Sequence, residues 1–389
     1  MKFNVASFAY FGLFLAREMA RLGHLGTLYT NLPASRCSGI LRTQLMSRPL
    51  SFAPYYLAGR LGLHGLHRWL NWPTIDSFDR WVANNMLSCD VFHCFSGFGR
   101  QSHQVARERY GAMTVVERGS THIAYQDALL REEHEKWGVP YRGTHSRLIA
   151  KEVGEYHECD YITVQSTFAW RSFVEKGIPD TKLIKLPLAV DLHMFRPAPK
   201  QDRVFRVLYA GTLSLRKGTP YLLEAISRLR LPNFEFVVNG TIAPEVEPIV
   251  RRYADRIRFL GTRPFNQLYQ VYSQASVLVL PTIEDGFAKV ITEAMACGVP
   301  VIATTHCSAE DVFTDGVEGY IVPIRDADAI RERILFLYEN PDVRDEMAQA
   351  AQRRIQSGGG WSRYGETALE TYRERWLAHK RRISYVNVT

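Results

Sequence analysis

No Cys-x-x-Cys pair occurs among the six cysteines of this 389-residue chain, Cys37, Cys89, Cys94, Cys159, Cys297 and Cys307, and none has the histidine spacing of a zinc site. That excludes a disulfide framework and a structural metal, and the cysteines read as reduced, mostly buried thiols of a cytoplasmic protein. No apolar run reaches the roughly 18 residues a spanning helix needs. The opening "MKFNVASFAYFGLFLAREMA" has the charge and apolar start of a secretory leader. It reads better as a strand over Lys2–Phe8, a turn at Gly12 and an amphipathic helix with Leu15, Met19 and Leu22 on one face. That turn, "FAYFGLFLA", lacks Gly-x-Gly-x-x-Gly, which excludes a Rossmann dehydrogenase. Short repeats and long low-complexity segments are absent as well. The net charge of +8 does not point to nucleic acid: residues 1–200 hold 24 Lys and Arg against 17 Asp and Glu, residues 201–389 hold 24 against 23, and no RNP-like aromatic motif accompanies them.

What the chain does have is alternation. Apolar runs "KFNVASF", "LGTLYT", "DVFHCFS", "AMTVVER", "YITVQS" and "LIKLPL" alternate with helical patterns in the first half. "FRVLYAG", "FEFVVNG", "RIRFLG", "SVLVLP", "VPVIAT" and "GYIVP" do the same in the second. Continuous apolar strands separated by helices make parallel sheets covered on both faces. The proline- and charge-bearing "FRPAPKQDR", 195–203, is the linker, and "SGGG", 357–360, is a break before a last helical stretch. The expectation is α/β: two doubly wound domains, 1–200 and 201–370, facing a central cleft, with a helix over about 371–389 returning to the first. In such sheets ligands sit beyond the carboxyl ends of the strands, against helix N-termini.

Two stretches of the second half place charges there. In "LPTIEDGFAKVITEAMACGVPVIATT", 280–305, a helix starting at Phe287 and stopping at Cys297-Gly298 puts Phe287, Val290, Ile291, Ala294 and Met295 on one apolar stripe. Glu293 falls off that stripe, on the side of Gly286 and Lys289, where it either lines the crevice or pairs with Lys289 one turn earlier. In "VLYAGTLSLRKGTPYLLEAI", 207–226, a strand leads through Gly211 to Arg216-Lys217 and Gly218 before a helix. Cations beside a helix N-terminus suit a diphosphate, although a basic pair alone is usually a solvated turn.

Taken together the chain resembles the retaining glycosyltransferases of family 4, which have the GT-B fold. The resemblance covers nearly the whole chain and is strongest in the second half. It rests on the Glu-x7-Glu signature, here Asp285-Gly286-Phe287-Ala288 through Glu293 and on into "AMACGVPVIATT", and on the basic motif "GTLSLRKG". "FLGTRPFNQLYQVYSQASVLVLPT", "SAEDVFTDGVEGYIVP" and "PLAVDLHMF" follow the family order. The resemblance implies that Glu293 binds the ribose hydroxyls of a UDP- or GDP-sugar. It implies that Asp285 and the backbone N–H groups of Phe287 and Ala288 hold the transferred sugar, and that Arg216 and Lys217 neutralise the diphosphate. Gly12 would let the backbone approach that diphosphate from the first domain. Arg263, in "FLGTRP", lies where the family contacts the base, and His122, in "VVERGSTHIAYQ", matches the family's active-site histidine. The chain departs from the family in having Asp285 where Glu is common, with Glu284 beside it as a substitute, and Thr212 where Arg is common. Gly12 stands alone where paired glycines are usual, and Leu188-Ala189 replaces an Asn-Gly.

The reaction so implied is hexosyl transfer with retention at the anomeric carbon, with no cofactor and no metal, to a glycan or lipid-linked acceptor in cell-surface polysaccharide or glycolipid assembly. A catalytically weak, sugar-nucleotide-binding regulator is the competing reading. Residues 35–73 hold Arg36, Arg42, Arg48, Arg60 and Arg68 among Leu, Phe, Tyr and Trp, with no Asp or Glu. That pattern fits an anionic membrane surface, and hence a peripheral enzyme at the inner membrane face. Ordinary scaffold helices with solvated arginines fit it too.

Overall fold

The computed structural model describes residues 1–10 and 12–386. Seven strands, β1 (Phe3–Ser7), β2 (Leu25–Thr30), β3 (Leu45–Ser47), β4 (Val91–Phe95), β5 (Met113–Arg118), β6 (Tyr161–Val164) and β7 (Leu183–Lys185), form one sheet. Its order is β3-β2-β1-β4-β5-β6-β7. Six more, β8 (Phe205–Ala210), β9 (Phe234–Asn239), β10 (Ile257–Gly261), β11 (Val277–Leu280), β12 (Val301–Thr304) and β13 (Gly319–Val322), form a second in the order β10-β9-β8-β11-β12-β13. The pairings between strands of both sheets are parallel. Parallel strands need crossovers, and helices supply them on both faces. All twelve expected apolar runs are strands. The thirteenth, β3, is a three-residue edge strand inside the basic stretch, with no residue fully buried and hence no apolar run to announce it.

Each sheet reverses direction once, between β1 and β4 and between β8 and β11, and such switch points open a crevice at the carboxyl ends. One core fills the second domain, from Phe205 and Val207 to Leu337 and Ala351. The first domain has two cores, one on each side of its sheet. The last helix, Gly360–Val386, lies against helix Leu13–Arg21. Trp361 stacks on Phe14 with ring centroids 4.1 Å apart, and the Tyr372 hydroxyl lies 2.9 Å from Thr163 Oγ1 on β6. The return to the first domain therefore begins at residue 361, ten residues earlier than the spacing suggests, directly after Gly359 and Gly360 turn the chain with φ of 74° and 62°. All six cysteines are buried and free. Among the described residues no helix is long and apolar enough to cross a membrane.

Candidate active site at the switch of the second sheet

β8 and β11 are neighbours, with Val207 opposite Val277 and Leu208 opposite Leu278, so the loops that follow them emerge side by side. The β8 loop is pinned to the β11 loop through one backbone group. The Arg216 carbonyl accepts from the Ile283 N–H at 2.9 Å, the Glu284 N–H at 3.3 Å and the Thr282 hydroxyl at 3.2 Å. Gly218 makes that approach possible: it sits at φ 67°, and a Cβ there would fall 1.9 Å from the Pro281 carbonyl oxygen. Gly211, at φ 136°, is crossed in the same way by Gly240, whose absent Cβ would lie 1.8 Å from the Gly211 oxygen. Helix Thr219–Ser227 starts immediately after Gly218, and its first N–H groups are already taken: Thr219 donates to the Ser214 carbonyl at 3.2 Å, Tyr221 and Leu222 donate to the Gly218 carbonyl at 3.1 and 3.3 Å, and Pro220 has none.

This packing sets two basic residues against two acidic ones, in register. Lys217 Nζ pairs with Asp285 Oδ2, both partly exposed. Arg216 Nε donates to Glu284 Oε2 at 2.7 Å, and Arg216 Nη2 reaches Ser120 Oγ of the first domain at 3.1 Å. Glu284 is fully buried. Its Oε1 accepts from the Thr121 N–H at 3.0 Å and hydroxyl at 2.8 Å, and its Oε2 also accepts from Gln126 Nε2 at 2.8 Å. Burial opposes ionisation of this carboxyl, but the Arg216 charge and the donors of Thr121 and Gln126 outweigh it and hold it down to about 2. The expected use of Glu284 as a substitute sugar contact is therefore corrected. Four protein donors occupy it, and it ties the second domain to the loop after β5. Gly286 continues that tie, since a Cβ there would lie 2.4 Å from the Gly119 oxygen.

The helix after this loop runs from Lys289 to Ala296 rather than from Phe287, with Ala288 as its cap. Phe287 and Ala288 are buried. The Ala288 N–H donates to Ser308 Oγ at 3.3 Å, while the Phe287 N–H has no acceptor among the described residues. Glu293 is partly buried and does not pair with Lys289. Its Oε2 accepts from the Tyr272 hydroxyl at 2.7 Å, and among the described residues Oε1 has no partner. Burial pushes the Glu293 carboxyl above its ordinary value, against the pull of Tyr272 and the Lys289 charge.

The other expected residues fall outside this cluster to different degrees. Gly12 caps helix Leu13–Arg21 with φ 78° at the switch of the first sheet; a Cβ there would touch nothing closer than 3.6 Å, so the backbone angle and not crowding calls for glycine. Arg263 is exposed just past β10, two strands from β8, where it lines a groove of about 520 Å³ with Arg206, Gln267 and Gln270. His122 is a correction. Its ring is buried between Tyr156 and Phe173, with centroids 5.0 and 5.1 Å away, and its Nδ1 accepts from the Ala124 N–H as a helix cap. Burial, then the nearby Arg118, Lys176 and His157, lower it to about 4, so the imidazole is neutral and turned into the first domain's core. Sequence reasoning also missed Thr121, Gln126 and Tyr272, whose roles depend on partners far along the chain. Among the described residues no cluster of three His, Cys, Asp or Glu could hold a metal ion. An Asp-x-Asp does occur, but Asp326 caps helix Ala327–Glu339 and Asp328 pairs with Arg228.

Residues 193–354 match the family described as glycosyl transferases group 1. The chain is 29% identical over 221 residues to the D-inositol 3-phosphate glycosyltransferase of Kribbella flavida, covering 51% of this chain and 52% of that one. It is 26% identical over 246 residues to the GDP-mannose-dependent monoacylated alpha-(1-6)-phosphatidylinositol monomannoside mannosyltransferase of Corynebacterium glutamicum, covering 57% and 63%. The chain thus spans about half the length of the curated relatives it matches. Over the whole fold it superposes on the Anabaena Alr3699/HepE structure in complex with UDP and glucose, with a TM-score of 0.68 at 15% identity, covering 96% of this chain and all of that one. Residues 193–354, which carry the Arg216-Lys217 loop and Glu293, match the glycosyl transferases group 1 family, and the chain has the two-domain GT-B fold.

Proposed function

We propose that the protein is a retaining glycosyltransferase that moves a hexosyl group from a UDP- or GDP-sugar to a glycan or lipid-linked acceptor in cell-surface polysaccharide or glycolipid assembly. The observation that carries this reading is the pinning of Arg216 and Lys217, through Gly218, onto the loop of Asp285 at the switch point. Two cations converge there on a crevice beside the positive end of a helix dipole, and a nucleoside diphosphate competes with Asp285 for Lys217. Lys217 exchanges Asp285 for a phosphate oxygen, and Asp285, released, accepts from hydroxyls of the sugar. The Phe287 N–H is the second sugar contact. Glu293 keeps Tyr272 on one oxygen and offers the other to a ribose hydroxyl; burial raises its affinity for a proton, and two donors favour the ionised form. The Anabaena protein's UDP and the Corynebacterium protein's GDP-mannose represent the two donor classes to be tried first.

Transfer then consists of breaking the anomeric carbon–phosphate oxygen bond while the acceptor oxygen bonds to the same face of that carbon. The acceptor hydroxyl's proton passes to the departing phosphate oxygen. Lys217 and Arg216 stabilise the charge that grows on the diphosphate, a role that needs no metal. His122 takes no proton in this scheme, because its ring is buried. A screen of UDP- and GDP-sugars by calorimetry and slow hydrolysis tests the reading. Binding with transfer and a retained anomeric configuration supports it, binding without turnover assigns the protein to the regulator class, and binding of neither nucleotide rejects both.

A further inference from the structure

Eight of the eighteen large apolar side chains exposed among the described residues lie between Leu41 and Trp69. Leu50 is 85% exposed, Trp69 70%, Leu61 62% and Leu57 57%. Elsewhere such residues are scattered singly, as on any soluble surface. Here six of the eight, Tyr56 to Trp69, fall on one short helix, Ala53–Arg60, the turn after it and the start of the next, His64–Asn84. The short helix fully buries Ala58 alone and leans Tyr55 on the core, while Tyr56 and Leu57 stay exposed. A contiguous exposed apolar surface of this kind marks a docking site.

The charge around it names the partner. Residues 19–75 contain six arginines and no Asp or Glu. Arg42, Arg48 and Arg60 are exposed, and among the described residues none has a carboxylate partner. Beside the patch, two grooves of about 550 and 590 Å³ share the same chemistry, with Trp69, Trp72 and Ile75 as apolar walls and Arg142 and Arg147 at the rim. Apolar side chains ringed by unpaired arginines complement a surface that is anionic outside and apolar beneath. Position matters equally. The Tyr56 hydroxyl of the short helix accepts from Asn31 Nδ2 at 2.6 Å, and Asn31 Oδ1 accepts from the Ala9 N–H at 2.6 Å. Ala9 follows β1, so the patch sits on the first-domain lip of the cleft, at the switch of its sheet.

We propose that helix Ala53–Arg60, the turn after it and Trp69 dock the protein on an anionic bilayer, with the first-domain lip of the cleft held at the lipid surface. An acceptor whose polar head stands above the bilayer and whose apolar tail stays in it then reaches the cleft without leaving the membrane. That acceptor step rests on the glycosyl-transfer reading, whereas the docking does not. Co-sedimentation with vesicles of phosphatidylglycerol and phosphatidylcholine, against phosphatidylcholine alone, is the test. The full chain is expected to pellet with the anionic vesicles at low salt and to be released as salt rises. Leu57→Asp with Leu61→Asp, and separately Arg42→Glu with Arg48→Glu, should each lower the partition by roughly tenfold or more. The arginine variant should also flatten the salt dependence. Nucleotide binding by calorimetry should stay at the wild-type value in both, which shows that the fold is intact. Protein that remains in the supernatant with anionic vesicles at low salt overturns the proposal. So does salt-independent binding to phosphatidylcholine alone, or a dimer by light scattering that Leu57→Asp dissolves, which would assign the surface to a second copy. Vesicle binding without nucleotide binding would leave the docking standing and sink the enzymatic reading.

Discussion

The two lips of the cleft are built on opposite plans. On the second-domain lip three charged groups of the site have a partner of opposite sign or a hydroxyl within reach: Arg216 with Glu284, Lys217 with Asp285, Glu293 with Tyr272. The first-domain lip carries exposed Tyr56, Leu57, Leu61 and Trp69 over buried rings such as Phe8 and Phe52, and arginines without acids. A polar site assembled before its ligand arrives loses little reorganisation energy when charge develops. An apolar, basic lip has no such geometry to keep and relies on area and net charge. One lip is arranged to recognise a small, fixed, anionic molecule, the other a surface.

Breaking the second-domain plan should cost most where the two loops meet. Gly218→Ala puts a methyl into the Pro281 carbonyl at a positive φ, so the Arg216-Lys217 loop must move; kcat is expected to fall on the order of 10³-fold in initial-rate assays, with the overall fold retained by circular dichroism. Lys217→Ala leaves the loop in place and removes one charge. It should lower kcat by about 10²-fold with a smaller rise in KM, because the leaving diphosphate is most charged in the transition state. Glu293→Ala should weaken binding of the free nucleotide by about 1.5–3 kcal/mol in calorimetry. Asp285→Asn should impair transfer and spare nucleotide binding.

Glu284→Gln sharpens the comparison from the stability side. Its loss leaves Arg216 unpaired but partly solvated, so urea unfolding should show a drop of about 1–2 kcal/mol at neutral pH. The sign with pH follows from the lowered carboxyl. The folded value, about 2, lies below the ordinary carboxylate value, so the contribution is present above about 4.3 and is lost as pH falls toward 2. The wild type should therefore lose stability more steeply than Glu284→Gln between those values, and parallel pH profiles would remove Glu284 from the interdomain tie.

The contrast also explains what the sequence made legible. Strands and the donor loop depend on neighbours in sequence, and apolar runs, Gly218 and the Asp285–Glu293 spacing declare them. Glu284 and Asp285 are adjacent and chemically alike, yet one is buried against Thr121 and Gln126, 163 and 158 residues away, and the other opens to the crevice. Nothing local distinguishes them. The place of His122 escapes the sequence for the same reason, since Tyr156 and Phe173 decide where its ring goes. Phe287 continues the apolar stripe although its backbone is not yet helical, which hides the helix start at Lys289.

The central claim is that Arg216 and Lys217 hold a diphosphate. Calorimetric dissociation constants for a nucleoside diphosphate and its monophosphate, UDP with UMP or GDP with GMP according to which base binds, test it in wild type and in Lys217→Ala. The account predicts that the wild type prefers the diphosphate by about tenfold or more, and that the preference largely disappears in the variant while monophosphate binding hardly changes. An unchanged preference in Lys217→Ala would contradict it.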